Sequence, residues 1–221
     1  MDPSLQKTFA SNLLYAQWFT DPMCSWSYIA NQSIHQFREH FSGRLIFRER
    51  LFVLYRELNE FLKQRNMTRP EEFVPKLESV SRNSGVALEV KAWKKNDVPV
   101  SSETCCLWVS SALRLDPEKG SLFLWELRKA MYEEGLNIGS TEIIEQISRK
   151  VGFNFAELMK GFMEIETQKA LREDQVSAER EKVTVRPTLV LENSGGDRVF
   201  IGGLMDPELF IHAGEVLLRE A

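Results

Sequence analysis

A chain of 221 residues, 43% of them hydrophobic, can bury a sizeable core in one domain, or in one domain carrying an insertion, without disulfide staples. Its three cysteines, Cys24, Cys105 and Cys106, are an odd number that does not suggest a secreted disulfide framework. A net charge of −4 with no basic stripe of interleaved aromatics argues against a nucleic-acid binder. Met1 to Lys7 lack a basic segment followed by an apolar core, and no apolar run reaches about 18 residues. The expected setting is therefore a reducing cytoplasm, away from membranes. Lys91-Ala92-Trp93-Lys94-Lys95 reads as a solvated basic loop.

In chain order, Leu13 to Phe19 is a nearly continuous apolar run of strand formers, as expected for a central strand covered on both faces. It breaks at Asp21-Pro22, and a helical pattern opens with Cys24 in its first turn. Tyr28, Ile29, Ile34, Phe37 and Phe41 form its apolar stripe and Ser42-Gly43 its stop. Arg44 to Val53 is a second strand, so the chain opens strand, helix, strand, which permits a parallel pair. From about Tyr55 the pattern turns helical for more than a hundred residues. Starts are marked by Pro70, by Ser101 or Ser102 before Glu103, by Asp116-Pro117, by Ser140-Thr141 and by Asn154. Sheet character returns at Val183 to Leu191, with Pro187 inside the run, where a proline is excluded unless it sits at a bend or just before the strand. Asn193 to Asp197 is a hairpin turn, Arg198 to Ile201 the return strand, and Asp206-Pro207 caps a final amphipathic helix.

Chemistry concentrates at Cys24. A thiol at a helix N-terminus meets unpaired N–H groups and the positive end of the helix dipole, which favour a negative sulfur and can take the pKa below its reference of about 8.5. Cys24 is thus read as a reactive thiol in preference to a packed core cysteine. Cys24-Ser25-Trp26-Ser27 has the look of a redox Cys-X-X-Cys box whose second cysteine is serine. His35, His40 and His212 have no metal-ligand spacing with any cysteine or carboxylate pair, so no metal site is expected.

Three local motifs carry a family resemblance: Phe19-Thr20-Asp21-Pro22-Met23-Cys24-Ser25-Trp26, Val185-Arg186-Pro187-Thr188-Leu189-Val190, and Gly202-Gly203 before the last helix. With the order of elements, they resemble the thioredoxin fold and, within it, the DsbA-like disulfide oxidoreductases with their cytoplasmic polyketide-oxidoreductase and hydroxychromene-carboxylate isomerase relatives. The resemblance implies an α/β thioredoxin fold with a large all-helical insertion between the second strand and the late helix. Residues 1–54 and 165–221 would form the thioredoxin-like domain and residues 55–164 the insertion.

By the same resemblance, Cys24 is the attacking thiol and Pro187 a cis-proline beside it, while Trp26, Arg186 and Thr188 flank a bound substrate. Ser27 departs from the family box, and without a second cysteine the motif closes no internal disulfide. Its hydroxyl either faces solvent or donates to the sulfur. Arg186 is either a solvated charge or a partner for the thiolate or for a glutathione carboxylate. Trp26 is either a partner-contacting aromatic or packed against the proline loop. The implied activity is thiol–disulfide exchange or isomerisation on a small-molecule thiol or a peptide or protein disulfide. No tightly bound cofactor is implied, and glutathione is the candidate co-substrate. A glutathione-dependent isomerase or transferase and a redox-silent binding adaptor are the alternatives. Cys105 and Cys106 are read as core cysteines, with a resolving role for one of them as the rival reading.

Overall fold

The computed structural model describes residues 13–203 and 206–220; residues 1–12, 204, 205 and 221, which the sequence assigns to the first domain, lie outside the described residues. Strand β1 (Leu14–Thr20) lies at the centre of a four-stranded sheet of order β2-β1-β3-β4. It runs parallel to β2 (Leu45–Leu51) and antiparallel to β3 (Thr188–Glu192), which pairs antiparallel with β4 (Arg198–Gly202). Side-chain alternation along β1 divides its two faces. Leu14, Ala16 and Trp18 pack with Phe37 of helix α2 (Asn31–His40), with Phe41 at its C-cap, and with Phe210 and Leu217 of helix α11 (Pro207–Arg219). Phe19 points the other way, to Val190 and to Ala178 of helix α10 (Ile165–Arg180). Burying each large apolar side chain of this kind contributes about 1.5–3 kcal/mol. The contact of α11 with α2 is close enough to need a glycine: a Cβ on Gly214 would lie 2.5 Å from the Phe41 ring.

Between β2 and α10 the chain is helical. After helix α3 (Leu58–Lys63) and a 3₁₀ turn at Pro70–Phe73 come α4 (Val74–Ser84), α5 (Lys91–Lys94), α6 (Ser102–Leu115), α7 (Pro117–Tyr132), α8 (Thr141–Val151) and α9 (Phe155–Met163). No strand interrupts this block among the described residues. Several sequence signals act as read: Asp116 caps α7 by accepting from Lys119 N, with Pro117 at the first helical position, and Asn154 and Asp206 cap α9 and α11. The block has its own core, in which Met131, Leu127 and Trp93 are buried, and that core continues into Met23, Tyr28 and Leu51 of the sheet half.

Four expectations are corrected. The segment Lys91–Lys94 is no solvated loop: it is the short helix α5, and Ala92 and Trp93 turn inward while the lysines stay outside. The first helix is broken at Ala30 into α1 (Ser25–Ile29) and α2. The late strand begins at Thr188 instead of Val183, because Pro187 offers no N–H to a ladder; the Arg186–Pro187 peptide is cis. Finally, Ser102 does not cap α6; its hydroxyl is diverted to Asp21.

Candidate active site

The site is built where β1 ends. Asp21 begins a tight turn, its Oδ1 accepting from Met23 N at 2.6 Å and its carbonyl from Cys24 N at 3.1 Å. Cys24 is then the N-cap of α1, extended at φ −83° and ψ 112°, and its carbonyl accepts from Tyr28 N. The sulfur therefore stands one residue ahead of the first turn, where it was expected. An N-cap side chain is the acceptor that the third helical N–H seeks, and here that residue is Ser27.

Cys24 Sγ lies 3.8 Å from the Arg186 carbonyl oxygen, which places the cis Arg186–Pro187 peptide beside the thiol. Ser27 is fully buried and its Oγ has no regular hydrogen-bond partner around the neutral thiol. Both that hydroxyl and the Ser27 N–H nevertheless favour the ionised sulfur. Of the two readings, then, Ser27 does not face solvent. Trp26 is half-buried.

The expectation of an acidic thiol is corrected. Burial is the largest influence and pushes the Cys24 thiol up; Asp21 adds to this, while Ser27 and the Arg128 guanidinium pull it down. A thiolate cut off from water costs more than one short helix turn returns. Cys24 retains 7% of its surface exposed, against none for Cys105 and Cys106.

Two flanking residues are placed otherwise than expected. Arg186 does not reach the sulfur with its guanidinium. Nε donates to the Phe52 carbonyl at 2.6 Å, a terminal nitrogen donates to the Val53 carbonyl at 2.7 Å, and the group stacks 4.0 Å from the Phe52 ring. It fastens the proline loop to the chain that leaves β2. Thr188 is buried and spends its hydroxyl on the Val185 carbonyl at 3.0 Å, closing the same loop from the other end. Cys105 Sγ is near the carbonyls of Ser101 and Ile138, and Cys106 Sγ is 3.4 Å from Asp21 Oδ2. Burial pushes both thiols well up. Both are buried against these partners, which favours their reading as core cysteines.

Three residues escaped the sequence reading. Asp21, fully buried, takes four donors: Met23 N, Leu54 N at 2.7 Å, Ser102 Oγ at 2.9 Å and the Cys106 thiol. On α7, one helical turn apart, Arg128 and Tyr132 are buried against the turn that carries Cys24. Tyr132 donates to the Met23 carbonyl at 2.5 Å; Arg128 donates to Thr20 Oγ1, to the Asp21 carbonyl at 3.4 Å and to Asn31 Oδ1 at 3.2 Å. The only signal in the sequence was the i, i+4 spacing of two polar-tipped side chains on an otherwise apolar helix face. Among the described residues no group of three or more His, Cys, Asp and Glu side chains is placed to hold a metal ion, and no helix is long and apolar enough to cross a membrane.

Residues 17–206 match the family model described as thioredoxin. In three dimensions the chain is similar to the cytosolic disulfide reductase DsbM from Pseudomonas aeruginosa, at 19% identity over 94% of this chain and 100% of that one, with a TM-score of 0.75. The same reductase with GSH matches at 19% identity, 93% and 99% coverage and a TM-score of 0.74. A 2-hydroxychromene-2-carboxylate isomerase matches at 14% identity over 93% and 95% of the two chains, with a TM-score of 0.58. At these identities the likeness is one of fold.

Proposed function

Because this chain belongs to the thioredoxin family, we propose that it is a thiol–disulfide oxidoreductase or isomerase working through the single sulfur of Cys24. The observation that carries this reading is the setting of that sulfur: at a helix N-cap, against the carbonyl before a cis-proline and next to a buried serine hydroxyl that lacks any other partner. In the proposed reaction the Cys24 thiolate attacks one sulfur of a disulfide. A Cys24–substrate disulfide forms, the substrate's own S–S bond breaks, and the departing thiolate takes a proton. An external thiol of the glutathione class then attacks the mixed disulfide, leaves with the substrate sulfur, and returns Cys24 as thiolate.

The buried sulfur favours one direction. A thiolate that is costly to form is a poor leaving group, so the mixed disulfide persists until the outside thiol arrives. That suits a reductase or isomerase better than an oxidase. Glutathione as the outside thiol is supported by the similar fold of a reductase studied with GSH, and a reducing compartment such as the cytoplasm suits three free cysteines. Pro187 and Trp26 would border the substrate, with Ser27 serving the sulfur.

Turnover tests the reading. The wild-type protein should accelerate reduction of a low-molecular-weight mixed disulfide by glutathione, Cys24→Ser should abolish the acceleration, and Cys105→Ala with Cys106→Ala should keep it. A wild-type rate equal to that of buffer would leave the isomerase or the binding adaptor.

A further inference from the structure

Arg128 is an unusual group to find at the back of this site. It is 1% exposed, and its three acceptors, the Thr20 hydroxyl, the Asp21 carbonyl and the Asn31 amide oxygen, are all neutral. Its Nε is buried with no acceptor at all. A cation taken out of water without a bonded carboxylate is costly, and buried charges are normally paired. Among the described residues no nearby carboxylate is hydrogen-bonded to it. Asp21 is filled by its four donors. Glu49 of β2 favours the charged guanidinium but makes no hydrogen bond to it: it accepts from Ser121 at 2.6 Å, its carboxyl is itself pushed up by burial, and it also feels Arg38.

Cys24 is the next group in reach: its N–H and the Arg128 guanidinium donate to the same Asp21 carbonyl, at 3.1 and 3.4 Å, and its ionised sulfur favours the charged guanidinium as these carboxylates and the Tyr132 phenol do. Tyr132 already donates its proton to Met23, and Arg186 is tied to the Phe52 and Val53 carbonyls. Around the sulfur itself, the neutral thiol has the Arg186 carbonyl to donate to. Once ionised it can no longer donate, and it needs donors and positive charge instead.

We propose that Arg128, held by Thr20, Asp21 and Asn31, is the fixed counter-charge for the ionised sulfur of Cys24, supplied by the helical layer from behind while Ser27 serves the sulfur along its own helix. Arg128 is a positioning residue: it touches no substrate. The proposal deepens the reading of Cys24 as the nucleophile and rests on it. It also gives the helical block a chemical task at the site in addition to covering it.

The experiment is the pH profile of Cys24 alkylation by iodoacetamide in the folded protein, read by mass mapping. This reaction consumes no disulfide, so it separates failure of this proposal from failure of the turnover reading. Arg128→Met should move the midpoint up by about one pH unit, so that alkylation below the midpoint slows about tenfold. Its limiting rate at high pH should not fall, since a more basic thiolate is the stronger nucleophile. Arg128→Lys should restore most of the shift. Asn31→Asp keeps the arginine and the packing but places a carboxylate against it, and should move the midpoint the same way; it decides the matter if Arg128→Met does not fold. An unmoved midpoint in Asn31→Asp, or in folded Arg128→Met, overturns the proposal.

Discussion

Ser102, the first residue of α6, donates its hydroxyl to Asp21 Oδ2 at 2.9 Å, across 81 residues of chain and from the helical layer into the turn that holds Cys24. The same oxygen of Ser102 accepts from Tyr55 N at 2.9 Å and Leu54 N at 3.1 Å. The pair therefore fixes three segments at once: the turn that carries Cys24, the chain leaving β2, and the start of α6. Asp21→Asn replaces one acceptor oxygen by an NH₂ group that would face donors already present. Leaving such buried groups unmatched should cost about 3 kcal/mol in urea unfolding, and Ser102→Ala about 1–2 kcal/mol. Equal stabilities would mean that the knot carries no load.

Ser27→Ala separates stability from chemistry. Its buried, orphaned hydroxyl is a cost in the resting protein, so removing it should stabilise the fold by about 1 kcal/mol. The same change removes a donor to the ionised sulfur. The alkylation midpoint of Cys24 should therefore rise, and the rate at neutral pH fall several-fold, as a lost charge-assisted hydrogen bond requires.

The pH dependence of the wild-type protein follows from the sign of the Cys24 shift. With the thiol pushed above its ordinary value by burial, the thiolate fraction at neutral pH is small and grows tenfold per unit of pH. Alkylation and disulfide attack should both climb steadily from pH 7 through pH 9. A plateau reached by pH 7 would signal an acidic thiol and contradict the burial argument.

Arg186→Met should loosen the proline loop, because the bonds to the Phe52 and Val53 carbonyls and the stacking on Phe52 are lost. The side chain is half-exposed, so the expected loss is about 1–2 kcal/mol. The Cys24 midpoint should hardly move, which distinguishes this arginine from Arg128.

Ser27→Cys tests the departure from the two-cysteine box. The Ser27 side chain already neighbours the sulfur, so an introduced thiol there should close a disulfide with Cys24 under mild oxidation, detected as the loss of two free thiols. Failure to close it would mean that the N-cap and the third helical residue do not approach as described.

What the sequence made legible was mostly local. Asp116-Pro117 and Asp206-Pro207 announce helix starts through chemistry confined to a few residues, and the active-site and proline motifs lie on short stretches whose order identifies the fold. The family match and the sheet topology agree with that reading. What stayed hidden depends on contacts between distant segments. The helix end at Cys24 is visible in the sequence, whereas the burial that outweighs it is not. The place of Arg186 next to Pro187 leaves open whether its charge is solvated or meets the sulfur, and only the fold shows that it donates to two carbonyls instead. Arg128 lies 104 positions after Cys24 on a helix that reads as scaffold, and nothing in its neighbourhood signals that the helix packs behind the thiol.

The central claim is that one sulfur, Cys24, carries the chemistry. Its most direct test is the intact mass of the folded protein after incubation with oxidised glutathione at pH 9, where the thiolate fraction is about a hundredfold larger than at pH 7, followed by mapping of the modified residue. A single glutathione adduct on Cys24, absent in Cys24→Ser and removed by added thiol, is the predicted result. No adduct on folded protein, or an adduct on Cys105 or Cys106 in place of Cys24, would contradict it.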